Sequence, residues 1–207
     1  LPFSQNGYFD LPIDGQTRRI RIRRAHLEED AGKNVHENRA FTQVDLNRAG
    51  TPLLEIVTEP DIASAEEAYQ FSVELQRLVT YLGVSEANMQ KGHMRFEPNI
   101  NVHITTPDGR LFKTPIVEAK NVNSFRAVRG AVEHEIHRQV DEWLSDPNYT
   151  LEKHGKENRG WNDARGITEF QRGKEEAHDY RYFPDPDLVP VTLKQEWLDV
   201  QRASLPE

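Results

Sequence analysis

From Arg18 to Leu27 the chain alternates with a period of two. Ile20 and Ile22 fall on one side, and Arg19, Arg21 and Arg23 on the other. That pattern fits a half-buried β-strand and little else. The strand runs directly into His26-Leu27-Glu28-Glu29-Asp30-Ala31-Gly32-Lys33. One imidazole, three carboxylates, a glycine and a lysine thus stand within eight residues. Like charges this close repel and raise one another's pKa, so the run needs water, a basic partner or a divalent cation. Strand parity predicts that His26 and Glu28 face one way and Leu27 and Glu29 the other. Gly32 permits a sharp departure.

Other stretches carry further carboxylates on strand-like segments. Leu53-Leu54-Glu55-Ile56-Val57 reads as a short buried strand bearing one acid, Glu55, with an exposed edge position as the alternative. An unpaired carboxylate inside a sheet is expensive, so Glu55 calls for a cation, a metal or a cleft. Met94 to Ile104 alternates again, with Met94, Phe96, Ile100, Val102 and Ile104 on one parity and Arg95, Glu97, Asn99, Asn101 and His103 on the other. Pro98 marks an edge or a bulge in that strand. Thr106-Pro107-Asp108-Gly109-Arg110 is a hairpin turn, and Lys113 to Asn121 returns with Glu118 and Lys120 on a common face.

Two helices stand out. Ser64 and Glu67 form a capping box, followed by Ala68, Phe71, Leu75, Leu78, Val79 and Leu82 at helical spacing and by Gly83. The second follows Asn123-Ser124, with Val128, Val132, Ile136, Val140, Trp143 and Leu144 as its apolar stripe. A hairpin is expected around Trp161 to Phe170. Alternate prolines make Phe183-Pro184-Asp185-Pro186 extended. The tail from Gln195 reads as a short helix or a linker. Together these elements predict an α+β fold with a largely antiparallel sheet and packed helices.

Composition narrows the function. The formal net charge of −8 argues against a general nucleic-acid binder, although not against a local basic patch. The absence of cysteine excludes disulfides and thiolate-bound metals and suits a reducing, cytoplasmic setting. The chain shows neither the phosphate-binding G-x-x-x-x-G-K-[ST] loop nor the dinucleotide glycine fingerprint, and neither H-E-x-x-H nor the G-x-S-x-G elbow. What remains is Glu28, Glu29, Glu55, Glu97 and Glu118, a set of oxygen donors suited to Mg²⁺ or Mn²⁺. Lys33, Arg48 and Lys120 are candidates to neutralise phosphate oxygens.

Four long stretches also carry a resemblance. Val44-Asp45-Leu46-Asn47-Arg48-Ala49-Gly50-Thr51-Pro52-Leu53-Leu54-Glu55-Ile56-Val57-Thr58-Glu59-Pro60 resembles a signature of the B-subunit family of aspartyl/glutamyl-tRNA amidotransferases. His26 to Lys33, Glu118-Ala119-Lys120-Asn121-Val122-Asn123-Ser124-Phe125 and Asp179-Tyr180-Arg181-Tyr182-Phe183-Pro184-Asp185-Pro186-Asp187 resemble three more, in the family's order. The resemblance implies a catalytic cradle over residues 1–190, similar in fold to glutamine synthetase and guanidino kinases, with 191–207 beginning a connection to a C-terminal helical and tail region. It implies ATP as substrate and Mg²⁺ as cofactor, with phosphorylation of the side-chain carboxylate of Glu or Asp on mischarged tRNA-Gln or tRNA-Asn. Ammonia from a partner amidase A subunit, in a heterotrimer with a small C subunit, then displaces the phosphate. It also implies that Glu28, Glu29 and Glu55 are catalytic, that these three with Glu97 and Glu118 face the metals, and that Lys33, Arg48 and Lys120 face the nucleotide. The family's first strand, with a further Glu and His, would precede Leu1, and Glu97 stands where the bacterial pattern has Asp. Two readings compete with this one: a non-catalytic scaffold that docks the amidase partner, and an ATP-dependent ligase acting on a free amino acid.

Overall fold

In the computed structural model, residues 2–35, 43–174 and 192–205 are described. The chain divides into two compact units, Leu1–Ala63 and Ser64–Glu207. The boundary falls inside the single domain expected over residues 1–190.

The first unit is built on a three-stranded antiparallel sheet in the order β1 (Ser4–Ile13), β2 (Gln16–Glu29), β5 (Pro52–Thr58). β1 and β2 join through Asp14 and Gly15, both at positive φ (49° and 72°). This two-residue Asp-Gly loop has the twist a hairpin requires. Asn6-Gly7, a pair that commonly makes a turn, lies within β1, where Asn6 has φ 56° and the ladder continues on either side of it. Leu11 and Ile20 are fully buried. Three exposed arginines of β2 are each clamped by a carboxylate: Arg19 by Asp10, Arg21 by Asp61 and Arg23 by Glu59, all with two guanidinium nitrogens engaged. β5 is an edge strand, half-buried rather than buried, because only β2 covers one of its sides. A separate pair, β3 (Lys33–Val35) with β4 (Gln43–Asp45), follows the acidic run. The backbone at Gly32 does not use the left-handed region, and the glycine serves space instead: a Cβ would meet Leu46 Cδ2 at 2.9 Å and Val44 Cγ1 at 3.1 Å.

The second unit holds a four-stranded sheet in the order β11 (Ile167–Lys174), β10 (Lys156–Asn162), β9 (Ile116–Lys120), β6 (Asn99–Ile100), and a hairpin of β7 (His103–Thr105) with β8 (Leu111–Lys113). Met94–Ile104 is therefore not one strand. Pro98 cannot donate to a ladder, and only the short β6 and β7 pair, in different sheets. Thr114-Pro115 likewise separates β8 from β9. The pairings are antiparallel except β9 with β10, which are parallel and connected through α2 (Phe125–Ser145) and α3 (Leu151–His154). The hairpin expected around Trp161–Phe170 is β10–β11.

Both long helices start where the caps foretell. The Ser64 hydroxyl accepts from Glu67 N at 3.1 Å before α1 (Ala65–Tyr81), and the Ser124 hydroxyl accepts from Ala127 N at 3.0 Å before α2. The buried stripe of α2 is rotated from the expected one. It runs through Ala127, Val128, Ala131, Val132, Glu135 and Gln139, while Leu144 is exposed. Fully buried Glu135 takes hydrogen bonds from Arg138 (2.8 and 3.0 Å), Gln139 (2.9 Å) and Thr168, with Arg159 Nε at 3.4 Å. Burial pushes its pKa up, but the guanidinium of Arg138 and the hydroxyl and amide donors outweigh that and hold it below the ordinary carboxylate value. The tail from Gln195 is a helix, α4 (Gln195–Ser204). No helix among the described residues is long and apolar enough to cross a membrane.

Candidate metal centre and phosphate-facing residues

The first unit gathers His26, Glu28 and Glu55. β2 and β5 pair with His26 directly opposite Glu55 and Glu28 opposite Leu53. Directly opposed residues on paired strands share a face, so the three side chains emerge together. His26 Nε2 lies 2.7 Å from Glu28 Oε1 and 3.0 Å from Glu55 Oε2. One ligand atom from each residue falls within 4.8 Å of the other two. The imidazole is largely covered, with 15% of its side chain exposed, while the two carboxylates are about half open, at 45% and 48%. Nδ1 of His26 is buried and has no hydrogen-bond partner among the described residues.

The sheet puts these groups on an open face through a bulge. Ile22 pairs with Thr58, but Arg24 pairs with Val57, so β2 carries one extra residue at Arg23. Thr58 and Val57 are neighbours and point to opposite faces. Ile22 and Arg24 therefore do so too, although they stand two apart. Without the bulge His26 and Glu28 would follow Ile20 and Ile22 toward the core. With it they emerge on the other face. Glu29 follows the alternation of β2 and lies on the face opposite Glu28 and His26.

The donor set fits a divalent cation. Two carboxylates supply hard oxygens with room left for water, as Mg²⁺ requires, and an imidazole nitrogen equally admits Mn²⁺. The histidine is not among the residues that the sequence singles out as ligands. Its parity with Glu28 is the available signal.

The remaining residues fall as follows. Lys33 belongs to β3. Arg48 donates from Nε to the carbonyl of Ala31 at 2.9 Å and lies 3.6 Å from Asp30 Oδ1, fastening the loop after β4 to the acidic run. In the second unit Glu97, Glu118 and Lys120 come together. Lys120 Nζ is 2.9 Å from Glu118 Oε1 and 3.6 Å from Glu97 Oε2. Burial pushes the Lys120 pKa down, but the hydrogen bond to Glu118 and the charge of Glu97 more than offset this and hold it above the ordinary lysine value. Glu118 stands on β9 between Asn99 of β6 and Asn158 of β10, in a row across three strands. Asn158 is buried, and its Oδ1 has no hydrogen-bond partner among the described residues. Asp179 to Asp187, the late stretch of the resemblance, lies outside the described residues.

Comparison with known proteins gives a consistent result. The family model described as GatB/GatE catalytic domain matches residues 1–199. A protein of Thermoanaerobacter sp. (strain X514) is 49% identical over 210 residues, covering 100% of this chain and 42% of its own. One of Geobacter sulfurreducens is 49% identical over 214 residues, with the same coverage. One of Campylobacter jejuni subsp. jejuni (serotype O:23/36) is 46% identical over 207 residues, covering 100% of this chain and 43% of its own. All three are named as the B-subunit of aspartyl/glutamyl-tRNA(Asn/Gln) amidotransferase. The chain spans about two fifths of the length of these curated relatives.

Proposed function

The chain belongs to the GatB/GatE catalytic-domain family, and from that premise we propose that it carries the ATP-dependent step of tRNA-dependent amidation. In this reading the γ-phosphoryl group of ATP passes to the side-chain carboxylate of Glu or Asp esterified to tRNA-Gln or tRNA-Asn. Ammonia, released from glutamine by a partner amidase subunit of a heterotrimer, then displaces phosphate and leaves the amide. A glutamine synthetase-like and guanidino kinase-like cradle is the proposed frame for that chemistry.

The observation that carries it is the meeting of His26, Glu28 and Glu55 at one point of a sheet face. Phosphoryl transfer asks the protein mainly to position reactants and to balance negative charge. A divalent cation held by Glu28, Glu55 and His26 would supply that balance at the nucleotide phosphates. Glu28 and Glu55 are the exposed donors, so they reach outward while His26, more deeply set, fixes their separation. Glu97 and Glu118 are proposed as further acidic donors, with Lys120 between them already paired as a cation. Lys33 and Arg48 complete the proposed set, while Glu29, on the opposite face of β2, stands apart from the His26–Glu28–Glu55 cluster. Arg48 acts by holding the Asp30–Ala31 turn in place.

The test uses the protein assembled with its amidase and small subunits. ADP formation is followed with Glu-tRNA(Gln) or Asp-tRNA(Asn), with free glutamate, and without acceptor. The proposal requires ADP formation that depends on the charged tRNA and Mg²⁺. Turnover on free glutamate at the same rate would make the protein a ligase of the free amino acid. Absence of Mg²⁺-nucleotide binding would leave only a docking role.

A further inference from the structure

Resting on that reading, we propose that Arg24 is an anion-holding residue for the phosphate chain of the nucleotide, beside the His26–Glu28–Glu55 cluster. β2 carries five arginines between Arg18 and Arg24. Four of them are tied. Arg18 donates to the Asp61 carbonyl, Arg19 pairs with Asp10, Arg21 with Asp61 and Arg23 with Glu59. Arg24 has no hydrogen bond or ion pair from its side chain among the described residues, yet it is half-buried while the other four are exposed. Partial burial of a cation costs free energy unless an anion accompanies it, so the least solvated arginine of the strand is the one that lacks a counter-charge among the described residues.

Its direction is set by the bulge. Arg24 lies opposite Val57, and His26 lies opposite Glu55, so both project from the same face of the sheet. Two residues along a strand span about 6–7 Å, so a triphosphate chain is long enough to meet a metal at the cluster with one group and the Arg24 guanidinium with another through charge-assisted hydrogen bonds. Arg24 does not fold back onto Glu55, whose carboxylate meets His26 Nε2 at 3.0 Å. A planar guanidinium matches phosphate oxygens two at a time, which a lysine at this position could not do.

The probe is magnesium tripolyphosphate, titrated calorimetrically into the chain and into three variants. Arg24→Gln should weaken binding by about tenfold or more, and Arg24→Lys should recover part of the loss, because charge is restored but not the fork. Arg23→Gln removes an equal charge from the adjacent, carboxylate-clamped position and should change affinity by less than about twofold. Circular dichroism melts of the variants check the fold, and Arg24→Lys keeps the charge should Arg24→Gln unfold. Equal binding by wild type and Arg24→Gln, equal loss in Arg23→Gln, or no binding by wild type each overturns the site. Binding that depends on Arg24 without any transfer to charged tRNA would uphold the anion site and reject the phosphoryl-transfer reading.

Discussion

His26 and Glu55 face each other across β2 and β5, with Nε2 and Oε2 3.0 Å apart. The same Nε2 meets Glu28 from two residues along its own strand. One ring nitrogen thus lies within hydrogen-bond distance of two carboxylates. A divalent cation held here would draw on all three side chains. Glu55→Gln should abolish carboxylate phosphorylation in the assembled protein while leaving the thermal midpoint nearly unchanged, since Glu55 is an exposed edge position. Steady-state ADP release with charged tRNA and a melting curve check both halves. A normal rate in Glu55→Gln removes it from the metal site.

Glu135 makes the opposite prediction. It is fully buried, and its charge is met by Arg138, Arg159, Thr168 and Gln139. Glu135→Ala takes the nearest carboxylate from two largely covered guanidinium groups, leaving Arg138 with Glu142 at 3.9 Å and Arg159 with Glu157 at 3.8 Å. It should cost about 3–5 kcal/mol in urea unfolding. Thr168→Val removes one donor at similar volume and should cost about 1–2 kcal/mol.

Gly32 tests the packing beneath the acidic run. The Cβ of Gly32→Ala would enter the space of Leu46 and Val44 and approach the Asp45 carbonyl at 3.3 Å. Val44 and Leu46 are exposed and can shift, so the loss of stability should stay at about 1 kcal/mol or less by chemical denaturation. An unchanged midpoint would mean that the loop after β4 yields freely.

Acid should reach Asp61 late. The hydrogen bond from the Arg21 side chain, followed by that from its backbone N–H, holds the Asp61 carboxyl down at about 2. Its folded pKa is below the ordinary value of 3.8, so the stability it adds is present above that value. It is lost as pH falls from there toward about 2. Asp61→Asn should flatten the acid limb of the melting-temperature profile in that window, with no change in the profile's slope near neutral pH. Differential scanning calorimetry across acid pH reads this directly.

Local signals were legible in the sequence. Ser64 and Ser124 cap their helices because a capping hydroxyl and the N–H it receives stand three residues apart. The Asp14-Gly15 turn is equally local. The bulge at Arg23 is not, since it exists only in the pairing with β5, and it decides the face on which His26, Glu28 and Arg24 emerge. Parity alone links His26 with Glu28 and separates Glu29, but it does not say which face is open. Nothing local marks Glu135 and Gln139 as buried. Their partners, Arg159, Thr168 and Thr114, come from distant segments that no helical period foreshadows. The alternation from Met94 to Ile104 survives in exposure, with Phe96 and Ile100 covered and Glu97 and Asn99 open, yet the pairing is broken into Asn99–Ile100 and His103–Thr105, in different sheets.

The most direct measurement of the central claim is Mn²⁺ binding to the chain, read by electron paramagnetic resonance and competed with Mg²⁺, in wild type and in Glu55→Gln. The expected result is saturable Mn²⁺ uptake that Mg²⁺ displaces, weakened by about tenfold or more in the variant. Failure of wild type to take up Mn²⁺ at concentrations on the order of millimolar, or equal uptake by both proteins, would contradict it.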